Sequence, residues 1–168
     1  FEEAKTEIDK AMASPETREK PKALFAKAQI YYMLQDQEKY KATNPYREAL
    51  ATTIKLAEVK ADYEKSTVDN MLLRGGFLSY NDGVKAYNDK RYSESVELMK
   101  TVVRVYELGA GGKRYEKLPP AFQKQFDTVA ADANLTMANA AYYAGNYEGY
   151  SAADKSERQS YQEDAVGL

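Results

Sequence analysis

The stretch that most constrains this chain is 80–102, which reads YNDGVKAYNDKRYSESVELMKTV. A helical pattern ends near Tyr87, a polar turn follows over Asn88–Arg91, and a second helix is predicted from Tyr92. Along that helix Tyr92, Ser95, Val96, Met99, Val102, Val103 and Tyr106 recur as one helix face requires. A helix–turn–helix unit is therefore the expected building block.

The rest of the chain suits such units. Hydrophobic residues make up 43% and charged residues 30%, with only nine glycines and five prolines, a composition of helical globular proteins rather than disordered ones. Its length of 168 residues suits one domain. The 24 basic and 26 acidic residues are interspersed, and no block of one sign suggests a nucleic-acid or membrane-surface footprint. No run reaches the ~20 apolar residues of a membrane-spanning helix. Without cysteine there is no disulfide, thiol nucleophile or thiolate metal site; without histidine the commonest general base and metal ligand are missing. No metal or cofactor is expected. Fifteen tyrosines against no tryptophan suggest tyrosine as the filler between helix layers, with the hydroxyl reaching water.

The stretch 80–102 resembles a tetratricopeptide repeat, a helix–turn–helix unit of about 34 residues. Gly83 falls at the family's small site, where the two helices approach closely. Tyr87, Tyr92, Ser95, Met99 and Val102 fall at its other characteristic sites. The match extends along the chain. Phe1, Ala4, Ile8, Ala11 and Met12 repeat the offsets of the Tyr92 helix, before Ser14 and Pro15 break the pattern. Pro21–Leu34 reads as a first helix, with Leu24, Ala28 and Tyr31 at the bulky, small and tyrosine sites, and Lys27 where leucine is usual. The polar run Gln35–Thr43 is expected to lengthen the turn. Asn44 then supplies an N-cap side chain and Pro45 the first helical position. Tyr46, Ala49, Leu50, Thr53, Leu56 and Ala57 follow on one face. After a charged connection over Val59–Asp69, Met71–Asn88 is the next first helix. Its Gly75-Gly76 pair either lowers helix stability by about 1 kcal/mol per glycine or marks a later start at Phe77. Glu107–Leu118 is glycine-rich but lacks the order of a phosphate-cradling loop. Pro119-Pro120 opens a long helix with Phe122, Phe126, Val129, Ala133, Met137, Ala140 and Ala144 available for burial, Ala138 at the small site and Gly145 in the turn before Tyr147. In the last helix Tyr150, Asp154 and Glu157 occupy offsets that should be buried.

The fold class expected from this resemblance is all-α, with antiparallel helix pairs stacked as a right-handed superhelix over a single domain, 1–168. Within it, 1–13 is the second helix of a leading repeat, 21–61 and 69–106 are repeats, and 119–166 is a repeat with a terminal helix. The opening aromatics Phe1, Tyr46, Tyr92 and Tyr147 are spaced more widely than the ideal period, so the repeats carry insertions.

The resemblance implies a concave groove lined by the first helices, which binds an extended peptide or partner protein. The matching positions are Phe25, Gln29, Tyr32 and Met33; then Phe77, Tyr80, Val84, Tyr87 and Asn88; then Leu135, Asn139, Tyr142 and Tyr143. Tyr80, Tyr87 and Tyr142 suit core and groove equally. Aromatics anchor partners well and amides can pair with a peptide backbone. Chaperone-binding members clamp a terminal carboxylate with Lys, Arg and Asn. Here only Asn81 falls at such a site, while Phe25, Gln29, Asp132 and Thr136 replace the others, so that activity is not expected. Lys27 and Asp82 stand at normally apolar sites, and are expected to pair across the repeat interface or reach solvent because an unpaired buried charge costs several kcal/mol. Carboxylates abound, yet no spacing separates a glycosidase pair from solvated helix faces, so no enzyme is expected. The alternative to a protein-binding scaffold is a glycan-binding module, since tyrosine faces stack on sugars. The first residue is Phe1 rather than Met, which fits removal of an upstream piece such as a signal peptide. Similarity to cell-envelope members of the family leans the expected location to the periplasm or outer surface, otherwise the cytoplasm.

Overall fold

A computed structural model describes residues 2–110, 115 and 119–146. The described residues are overwhelmingly helical and include no strand: α1 (Glu2–Ala13), α2 (Pro21–Gln35), α3 (Glu38–Lys41), α4 (Pro45–Val59), α5 (Lys65–Asn88), α6 (Tyr92–Ala110) and α7 (Pro120–Asn146). The chain divides into two compact units, Phe1–Gly76 and Phe77–Leu168, each with its own core. The expected opening aromatic Phe1, and Tyr147, Tyr150, Asp154 and Glu157 of the expected last helix, lie outside the described residues.

In the first unit α2 and α4 form an antiparallel pair. Gln35 at the end of α2 meets Tyr46 at the start of α4, while Glu19 just before α2 pairs with Lys55 late in α4. Pro21 and Pro45 each open their helix, where the missing amide hydrogen costs nothing. All six residues expected on the buried face of α4, Tyr46, Ala49, Leu50, Thr53, Leu56 and Ala57, are buried, as are Leu24 and Ala28 of α2. Asn44 is the residue before α4, but its side chain makes no capping bond and its backbone lies in the left-handed region (φ 49°) that asparagine tolerates. The side-chain oxygen of Gln35 does the capping, accepting the Tyr46 amide hydrogen at 3.2 Å. The polar run before Asn44 folds in part, as the single turn α3.

α5 starts at Lys65, six residues before the expected Met71, and it runs unbroken through Gly75 and Gly76. Gly75 is there for space. A Cβ on Gly75 would lie 2.4 Å from the Tyr32 hydroxyl and 2.6 Å from Leu50 Cδ1. Close approach of α2 and α4 thus offsets the intrinsic helix penalty of glycine.

In the second unit the end of α5 turns into α6 through Lys90 in the left-handed region (φ 61°). The Arg91 amide donates to the Ala86 carbonyl and the Lys90 amide to that of Tyr87, a Schellman closure. α6 begins at Tyr92, as its sequence pattern predicts. Gly83 is the point of closest approach to α6: a Cβ there would lie 2.8 Å from Met99 Cε, and the Ser95 hydroxyl donates to the Gly83 carbonyl at 2.9 Å. α7 packs antiparallel to α6, with Tyr143 on Tyr92 at one end and Phe126 on Tyr106 at the other. It runs parallel to the end of α5, since Phe77, Tyr80 and Tyr87 meet Phe126, Asp132 and Tyr143 in turn. The shared core is Val96, Met99 and Val102 of α6 against Ala133, Met137, Ala140, Ala141 and Ala144 of α7. Two expectations about α7 are corrected. Phe122 is exposed, and Gly145 is a buried helical residue with no turn there.

Candidate functional site

Candidate binding residues exist in both units, and each set is described within its own unit. In the first unit Phe25, Gln29 and Met33 recur every four residues along one side of α2. Phe25 meets Tyr63 edge to face with centroids 5.7 Å apart, and Gln29 is half-buried. Only Met33, 50% exposed, offers a free apolar surface there. Tyr32 is a correction: it is 4% exposed and its hydroxyl donates to the Met71 carbonyl at 2.6 Å, so it faces the core. Burial drives its phenol pKa strongly upward. Its neighbour Tyr31, matched to the repeat's tyrosine site, is half-buried and carries Asp9. Lys27 does pair, but within its own expected repeat rather than across an interface: its ammonium reaches Glu48 of α4 and lies 5.5 Å from the Tyr31 ring centroid. Asp82 of the second unit is half-exposed, as its charge requires.

The second unit gathers more of the candidates. Phe77, Tyr80, Val84 and Tyr87 of α5 are half-buried, and the last three pack on the α6–α7 core. Phe77 lies between Phe122 and Phe126, with centroids 5.8 and 5.7 Å away. The Tyr80 hydroxyl donates to Asp132 Oδ2 at 2.5 Å, and that bond with partial burial pushes its pKa up to about 12. These residues hold α5 to α7 more than they display a surface. Asn88 is exposed at the end of α5.

Display falls to α7. Leu135, Asn139, Tyr142 and Tyr143 follow the i, i+4, i+7, i+8 spacing of one stripe, with Leu135 62%, Tyr142 60% and Tyr143 45% exposed. From Ala133 to Asn146 the helix carries no charged residue. The end of the stripe is a tyrosine cluster. Tyr143 stacks on Tyr92 with centroids 5.3 Å apart and planes 26° apart, and leans on Tyr87 at 6.3 Å. Tyr142 stands at 75° to Tyr143, 5.6 Å away, so two exposed rings form a corner. Tyr87 meets Tyr92 edge to face, which locks the base of the cluster. Arg91, paired with Asp89 and Glu94, supplies charge one residue before Tyr92.

Tyr92 was legible only as a packing residue. Its part in holding Tyr143 depends on how α7 lies on α6, which spacing along one helix does not encode. Among the described residues no group of three or more acidic side chains could hold a metal ion. No described helix is long and apolar enough to cross a membrane. Comparison of the chain with protein-family models, with curated proteins and with solved structures returned no match.

Proposed function

We propose that this chain is a non-catalytic interaction module of tetratricopeptide-like helix pairs, which holds a peptide segment of a partner protein against α7 and the end of α5. The observation that carries the reading is the uncharged stripe Leu135–Asn139–Tyr142–Tyr143, exposed at three apolar positions and built on a braced helix rather than a loop. Large aromatics with fixed rings lose little entropy on binding and dominate interface energetics. Asn139 on the stripe and Asn88 at the end of α5 supply amides for a peptide backbone. The repeat-like reading draws support from the antiparallel pairs α2–α4 and α5–α6, each with a small residue, Ala28 or Gly83, sealed in its core. The parallel course of α5 and α7 is what successive first helices of stacked repeats would adopt. The irregular, tyrosine-rich repeat pattern resembles that of cell-envelope members of the family, and on that resemblance the proposed location is the periplasm or outer surface.

A peptide-display selection on the purified chain tests the reading. It should enrich sequences with apolar or aromatic anchors, and Tyr142→Ala or Leu135→Asp should each weaken the selected peptide at least about tenfold, as hot-spot truncation does. Retention of full affinity by both variants, with folding intact, defeats the proposal. The Tyr142–Tyr143 corner favours a second reading, in which a saccharide stacks on the exposed rings. Glycan-array binding that disappears in Tyr142→Ala, together with an empty peptide selection, selects that reading instead.

A further inference from the structure

The weld between α1 and the rest of the first unit differs in kind from every other helix contact described above. No residue of α1 is buried, and its apolar contribution is the half-buried trio Ile8, Ala11 and Met12. Polar groups do much of the holding. Near the end of α1, Asp9 accepts the Tyr31 hydroxyl of α2 at 2.8 Å to one carboxylate oxygen and 3.0 Å to the other. Lys5, one turn earlier, pairs with Asp9 at 2.6 Å, and its ammonium lies 5.5 Å from the Tyr31 ring centroid. Lys27 approaches the same ring at the same distance. At the start of α1, Glu2 accepts Lys39 at 2.6 Å and the Tyr40 hydroxyl at 2.9 Å. The groups that α2 and α3 present to these two carboxylates are therefore donors, two hydroxyls and the Lys39 ammonium. The helix that sits on them is acidic, with Glu2, Glu3, Glu7 and Asp9 against Lys5 and Lys10.

We infer that the α2–α3 face bearing Lys27, Tyr31, Lys39 and Tyr40 is a seat for an acidic amphipathic helix, filled here by α1 as a releasable latch. Charge complementarity names the occupant. A carboxylate must land on Tyr31 and a second must reach Lys39 and Tyr40, about two helical turns away. Burial works against the Asp9 charge, but the bonds from Lys5 and Tyr31 outweigh it and hold its pKa below the ordinary carboxylate value. Exposed ion pairs such as Glu2–Lys39 contribute little each and are screened by salt. With no sealed apolar contact beneath it, α1 opens locally at far lower cost than α2 or α4. A helix of the same chemistry on another molecule can then take its place.

Amide hydrogen exchange on the full chain tests the inference. Raising sodium chloride from about 0.05 to about 0.5 M should speed α1 exchange roughly threefold and leave α2 and α4 unchanged. Tyr31→Phe keeps the ring, removes both hydroxyl bonds, and should speed α1 exchange about fivefold at low salt. A synthetic peptide of residues 2–13 added in excess should also release α1, and the same peptide carrying Asp9→Lys should not. The inference falls if α1, α2 and α4 lose protection together, because α1 then belongs to the cooperative core. It falls equally if salt and Tyr31→Phe leave α1 unmoved, or if both peptides act alike.

Discussion

Tyr32 in the first unit and Tyr142 in the second show opposite uses of one residue type. Tyr32 is sealed, its hydroxyl set against Gly75 and spent on the Met71 carbonyl. Tyr142 stands out from α7 with most of its surface in water, supported edge-on by Tyr143. The first is a packing residue whose polar tip is satisfied inside. The second makes its ring contact with its chain neighbour, so its removal should cost the fold little. Burial of an aromatic is worth several kcal/mol, whereas an exposed one contributes mainly to what it can bind. Fifteen tyrosines therefore do not make one property of the molecule; each draws its role from the helix opposite it.

The sharpest way to break this contrast is Tyr32→Ala, which empties a buried aromatic site and should destabilise the first unit by about 3–5 kcal/mol in chemical denaturation. A loss under about 1 kcal/mol would show that the site collapses freely. Next come the two glycines. Gly75→Ala drives a methyl into the Tyr32 hydroxyl and Leu50, and should cost about 1–3 kcal/mol even after the gain in helix propensity. Gly83→Ala meets the flexible end of Met99, which can swing away, so its cost should be smaller. Thermal melts of the two variants side by side decide that order.

Tyr80 lies between the extremes, half-buried and tied to Asp132. Its pKa in the folded chain, pushed up to about 12, exceeds the ordinary tyrosine value near 10. Its contribution is thus fully present below pH ~10 and is lost as pH rises from there towards ~12. Tyr80→Phe should make stability less steeply dependent on pH across that window, while an unchanged alkaline slope would remove the bond from the account. The smallest effect is Tyr142→Ala, which should leave the melting temperature within about 1 °C.

How legible this was in the sequence depended on where the deciding partner lay. Tyr92 starts α6, Pro45 starts α4 and Pro120 starts α7 because local rules set those boundaries. The early start of α5 was hidden by the polar segment KSTVDN, in which Val68 is the sole apolar side chain. Tyr31 and Tyr32 sit next to each other with identical chemistry. Tyr32 turns inward to the space left by Gly75, forty-odd positions away on another helix, a contact that the repeat spacing placing Tyr32 in the groove does not encode. Tyr80 and Tyr87 pack against α7, while Leu135, Tyr142 and Tyr143 are exposed. Local pattern found the stripe. It could not distinguish display from support.

The Gln35 side chain on the Tyr46 amide closes the gap between α2 and α4 from outside the connecting segment. The nine residues 36–44 are thereby relieved of setting how the pair meets. They can be lengthened at little entropic cost, since doubling a loop adds only about 0.6 kcal/mol. For anyone wishing to nick the chain, insert a tag or open a permuted terminus, that polar turn is the place where the helices on either side already know where to go.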